Sequence, residues 1–120
     1  MKVSVGTVEH TFKMTPAVSV GHRVTISNVD GSINLSAGTD SRLGVVTRKA
    51  DAGDHTAVRL PSAPTGVYLT DTAITVGSKV YGADNGKVGT TNTNEKIGIA
   101  LTTTTGSAGE QIEVLHNNGI

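Results

Sequence analysis

Four histidines, two close carboxylate pairs and one glycine-rich loop are the residues of this chain best placed to do chemistry. The histidines are His10, His22, His55 and His116. An imidazole becomes a metal ligand or a general base when a second histidine or a carboxylate follows at a recognised spacing. No such spacing occurs here, so the four read as surface or strand-edge residues. The chain contains no cysteine, which excludes disulfides, thiolate nucleophiles and cysteine-ligated zinc. Asp51/Asp54 and Glu110/Glu113 sit beside glycine turns. Carboxylate catalysis requires two groups in opposed environments, and these read as solvated turn chemistry. No nucleophile-elbow motif surrounds any serine. The run Gly106-Ser107-Ala108-Gly109-Glu110 lacks the Lys-Ser/Thr ending of a phosphate loop. Asn34-Leu35-Ser36 is a formal glycosylation sequon, but no secretory signal accompanies it. The expectation is a chain without catalytic, cofactor-binding or metal-binding residues.

What then positions these residues is a scaffold of small side chains. The 120 residues allow one domain. Aromatics make up 2% of them (Phe12, Tyr68 and Tyr81), so the core has to be built from Val, Ile, Leu and Ala. Eighteen Thr, 15 Val and 15 Gly against three Pro describe an all-β protein with tight turns. Such a core leaves a modest margin, and part of the stability is expected to come from a partner or from self-association. Ten basic and ten acidic residues give a formal net charge of zero. A nucleic-acid partner would select for a basic face, so none is expected. No segment has the length or apolarity of a membrane span or a signal peptide, and the chain is expected to work in solution or as part of a larger assembly.

The elements fall into an internal repeat. Val20-Gly21-His22-Arg23-Val24 matches Val76-Gly77-Ser78-Lys79-Val80, and Asp30-Gly31-Ser32-Ile33 matches Asn85-Gly86-Lys87-Val88. Arg42-Leu43-Gly44-Val45-Val46 matches Lys96-Ile97-Gly98-Ile99-Ala100, and Ala52-Gly53-Asp54 matches Ala108-Gly109-Glu110. The paired glycines lie 56, 55, 54 and 56 residues apart. Asp30-Gly31 and Asn85-Gly86 predict type I′ turns, and Ser78–Tyr81 with Lys87–Thr90 a hairpin around the second. Gly44 and Gly98, inside apolar runs, predict a bulge or a close backbone approach where the two halves meet. Gln111–Leu115 alternates like a half-buried antiparallel strand.

The resulting architecture is a compact small barrel or sandwich of two pseudo-symmetric β units, about four strands each, related by a pseudo-twofold axis. Unit one covers about 16–60, a connector 61–75, and unit two about 76–116. Residues 1–15 alternate twice, through Val3 and Val5 and then Val8, His10, Phe12 and Met14, and form either an extra strand or an arm. As an arm it would add a strand to another protein's sheet edge, with Val3, Val5, Val8 and Phe12 as anchors, and could be deleted over 2–14 without unfolding the domain.

The order Val-Gly-x-(Arg/Lys)-Val, then (Leu/Ile)-Gly-(Val/Ile), then Ala-Gly-(Asp/Glu)-x-x-x-Val resembles the capsid cement, or head decoration, proteins of tailed bacteriophages. The better match is the second unit, through Lys96-Ile97-Gly98-Ile99-Ala100-Leu101 and Ala108-Gly109-Glu110-Gln111-Ile112-Glu113-Val114. The resemblance spans about 20–116, and the first unit departs from it at His55-Thr56. It implies a non-enzymatic virion protein on the capsid exterior, a homotrimer that clamps neighbouring major-capsid subunits of an expanded head. Another β-rich phage component, a head-fibre base or tail element, is the alternative.

Overall fold

The computed structural model describes residues 9–116. They form twelve β-strands and no helix: β1 (Glu9–Lys13), β2 (Arg23–Ile26), β3 (Ile33–Leu35), β4 (Gly44–Val46), β5 (His55–Arg59), β6 (Thr65–Leu69), β7 (Ala73–Ile74), β8 (Lys79–Gly82), β9 (Val88–Gly89), β10 (Lys96–Ala100), β11 (Thr104–Thr105) and β12 (Gln111–His116). All named pairings are antiparallel. The all-β fold expected from the Thr, Val and Gly content is the fold observed.

Two five-stranded sheets carry the structure, in the orders β1-β5-β4-β2-β3 and β6-β12-β10-β8-β9, and β11-β7 forms a third, two-stranded sheet. Strand for strand, the two large sheets have the same order, and their registers match as well. Glu9↔Arg59 in the first corresponds to Thr65↔Leu115 in the second. Val45↔Arg59 corresponds to Ile99↔Leu115, and Arg23↔Val45 to Lys79↔Ile99. Even the isolated bridge Val18↔Ala50 has its counterpart in Ile74↔Thr104. The offsets of 54–56 residues that separate the paired glycines therefore also separate the paired strands.

Each sheet buries one face in its own apolar cluster, as alternation requires. Met14, Val18, Val24, Ile33, Val46 and Val58 form one, with Phe12 and Leu43 packed against it. Tyr68, Ile74, Val80, Val88, Ile97, Ile112 and Val114 form the other. Val45 points from the first sheet into the second cluster and joins the halves.

Three local expectations change, and one that was left open is decided. The stretch 61–75 is not a connector, because it contains β6 and β7. Residues 9–13 are a strand of this domain's own sheet. Asn85 and Gly86 both take positive φ, 60° and 72°, as a type I′ turn requires. Asp30 does not, since its carboxylate accepts the Ser32 N–H (3.0 Å) while Gly31 N–H donates to Ser27 O, which makes a wider loop. Gly98 sits at the expected irregularity, where the register of β8 against β10 shifts between Lys96 and Gly98. Both Gly44 and Gly98 make a close backbone approach, but within their own sheets rather than between the halves. An added methyl at Gly44 would strike the Arg59 carbonyl, and at Gly98 the Leu115 carbonyl, both within the glycine's own sheet. The halves are also not related by a twofold axis, because they meet through unlike surfaces, described next.

Candidate functional site

The sequence-predicted chemistry stays dispersed. His10 and His55 are exposed on β1 and β5, and His10 lies beside Phe12 at a ring distance of 5.0 Å. Asp51 and Asp54 are exposed in one turn, closed by Asp54 N–H donating to Asp51 O. Among the described residues no cluster of His, Asp or Glu side chains suited to a metal ion forms, and no helix is long and apolar enough to cross a membrane. The glycine-rich loop has an anion of its own. Glu110 accepts the backbone N–H groups of Thr105, Gly106 and Ser107 at 2.9–3.1 Å. Desolvation works to raise the Glu110 carboxyl, but these donors outweigh it and hold it below the usual range. An incoming phosphate would have to displace this side chain.

The polar residues that do converge lie on the seam between the halves. Arg23 is fully buried on β2. Its Nη1 donates to the carbonyls of Ala83 (2.8 Å) and Lys87 (2.7 Å), in the loop joining β8 and β9. Its Nη2 donates to Ala37 O (3.0 Å), Asp40 O (3.3 Å) and Glu95 Oε1 (3.3 Å). Burial pushes the guanidinium below its ordinary value, while the Glu95 charge opposes the shift. Glu95 also takes Arg42 Nη1 at 2.8 Å and the Arg42 backbone N–H at 3.0 Å. A carboxylate between two guanidiniums thus ties residues of the first half to the second.

The network continues in one direction. Arg42 Nε–H donates to the Tyr68 oxygen (3.2 Å), and His116 donates from Nδ1 to Ala63 O (2.7 Å). That fixes Nε2 of His116 as the acceptor of the Tyr68 hydroxyl at 2.6 Å. Burial lowers the His116 pKa, more than the Ala63 carbonyl restores, and raises that of Tyr68. The chemical work of this network is adhesion between the two sheets. Sequence reasoning missed it because Arg23 and Glu95 are 72 residues apart and share no motif. The only signal was the Arg/Lys position of the repeated Val-Gly-x-(Arg/Lys)-Val.

Of the proposed anchors, Val3, Val5 and Val8 lie outside the described residues. Phe12 packs against the first core and is part of the domain. The eight paired glycines fall at turns and close contacts: Gly21, Gly31, Gly53, Gly77, Gly86 and Gly109 take positive φ. An open cleft of about 420 Å³ lies between the sheets, lined by Val20, Val45, Arg59, Thr65, Val67 and Glu113 among others. Large apolar side chains are exposed in both halves, Ile26 and Val29 in the first and Val67, Val76, Ile99, Leu101 and Leu115 in the second.

Comparison with known proteins follows the same direction. The family model for phage cement proteins matches residues 2–116. Among solved structures, the head fibre N base of bacteriophage phi29 superposes with a TM-score of 0.74 at 18% identity, covering 92% of this chain and 93% of that one. No curated protein sequence matches.

Proposed function

Because the chain belongs to the phage cement protein family, a structural component of the phage head, we propose that it binds the outer surface of an expanded head and clamps neighbouring major-capsid subunits. The observation that carries this reading is the extent of the family match, nearly the whole chain from residue 2 to 116. The molecule is suited to the task without catalysis. Its polar network is spent on holding two sheets together, and it offers exposed apolar side chains and, among the described residues, an unpaired sheet edge at β1. A small protein of zero net charge can pack densely against its own copies, and here it acts as a homotrimer. Many weak contacts on a symmetric lattice give firm retention through effective concentration. Val3, Val5 and Val8, which precede the open edge of β1, are the proposed capsid anchors.

The test is co-sedimentation of the purified protein with expanded and unexpanded heads that lack it. Saturable binding to expanded heads alone, at a fixed ratio per capsid subunit and weakened when Val3, Val5 and Val8 are changed to Asp, is the expected result. Absence of binding to either form overturns the reading. The fold of the phi29 head fibre N base favours one second reading, a base from which a fibre projects. Imaging of decorated heads separates the two, as a flush knob or as a seat for a shaft.

A further inference from the structure

The seam between the two halves joins unlike surfaces, and each half carries a version of both. The first half contributes Gly21, Arg23 and Val45. The second receives them on the β6 edge at Tyr68–Leu69, where Leu69 N–H donates to Gly21 O (2.8 Å), and on the turn at Gly86, whose carbonyl accepts Arg23 N–H (2.6 Å). Through the shared strand order and register, Gly77, Lys79 and Ile99 are the second half's counterparts of the contributed surface. Gly31 is the first half's counterpart of Gly86 on the receiving surface.

Inside the molecule only one member of each pair is covered. A methyl carbon added at Gly21 would lie 2.8 Å from Leu69 N, and one at Gly86 2.7 Å from Arg23 O. At Gly77 and at Gly31 the same carbon would meet nothing within 4 Å among the described residues. Apolar side chains stand out around both uncovered glycines. Val76 is 55% and Ile99 38% exposed on one surface, and Ile26 is 52% and Val29 89% exposed on the other. Lys79, the counterpart of Arg23, is exposed on the first, and Asp30 is exposed beside Gly31 on the second.

We propose that these two uncovered surfaces bind each other between copies of the chain, so that the second half of one copy seats on the first half of the next as the first half seats on the second within each copy. The contact is head-to-tail, and a ring of copies covers both surfaces of every member. It lacks the buried Arg23–Glu95–Arg42 cluster, because the positions equivalent to Arg23 and Glu95 hold Lys79 and Ser41. The contact between copies is therefore the weaker, reversible use of the same geometry. The inference depends on the homo-oligomer part of the reading above and not on capsid binding.

Sedimentation velocity of the purified chain and of two surface variants, Ile99→Glu and Val29→Asp, tests it. The wild type is expected to sediment as a closed oligomer, and each variant as a folded monomer by circular dichroism. A one-to-one mixture of the variants retains one intact pair of surfaces and should form a dimer that grows no further. A wild-type chain monomeric at every concentration, an oligomer that survives both substitutions, or a mixture that stays monomeric overturns the proposal. Co-sedimentation of the same samples with expanded heads keeps the two readings apart. Oligomers that never bind heads remove the capsid reading and leave this contact standing, and saturable head binding by a monomeric wild type does the reverse.

Discussion

Arg23 places a cation where no water reaches it, and the structure surrounds it with four carbonyls and one carboxylate. Removing one partner of such a cluster leaves the others desolvated and unpaired, which costs more than the pair contributes net. Arg23→Met is therefore expected to destabilise the fold by about 3–5 kcal/mol, measured by urea unfolding. Arg23→Met combined with Glu95→Gln should recover none of that loss, because Glu95 keeps Arg42 as a partner after Arg23 is gone. The histidines set the acid limit. Both His22 and His116 titrate below the ordinary value of 6.5, mainly through burial, so the folded state favours their neutral forms. Above that pH neither state binds the proton and nothing is lost. As pH falls through 6.5 the unfolded chain takes up protons that the folded one refuses, so stability drops until the lower folded value is passed. Each histidine contributes a slope of at most about 1.4 kcal/mol per pH unit. Protonated His116 would donate from both nitrogens, and the Tyr68 hydroxyl would lose Nε2 as the acceptor of its own proton. The first half holds Phe12 and Leu60 at the positions equivalent to Tyr68 and His116. The double change Tyr68→Phe with His116→Leu should keep the fold and reduce the loss of melting temperature between pH 7 and pH 5 to the part due to His22.

At the scale of elements, β1 decides what a truncation can show. Among the described residues it has a single neighbour, β5, yet Met14 just beyond it is fully buried and Phe12 packs on the same cluster. Losing a buried methionine side chain alone costs about 2–5 kcal/mol, a large share of a small domain's stability. Deleting residues 2–14 should give an unfolded or insoluble product, whereas deleting 2–8 should leave the sheet signal in circular dichroism unchanged. How much of this was legible varied with the element. The glycine offsets and the Asn85-Gly86 turn are written locally, because a left-handed backbone favours few residue types. The strand β6 is not. Pro61, Pro64 and Gly66 read as breakers, and the reason for Gly66 lies elsewhere in the chain, since a methyl there would come within 2.8 Å of the His116 ring and 2.9 Å of the Tyr68 ring. Likewise Gly82 is small because Arg23 passes beside it, a contact between residues 59 positions apart.

For the whole molecule, the all-β class and the two-part organisation could be anticipated from composition and spacing. The seam could not, because its chemistry is shared among Arg23, Arg42, Tyr68, Glu95 and His116, each unremarkable where it stands in the chain. The strand order also makes the molecule unequal as a load-bearing part. Strand β1 lies at the border of its sheet with one ladder of hydrogen bonds, while β12, equivalent to β5, is flanked by β6 and β10. A pull applied at Glu9 can peel β1 away one bond pair at a time. A pull applied at His116 has to slide β12 against two ladders at once and draw its imidazole out from under Tyr68. A load would thus be met by a molecule that yields at one end and holds at the other, and cargo fused beyond His116 would hang from the stronger of the two.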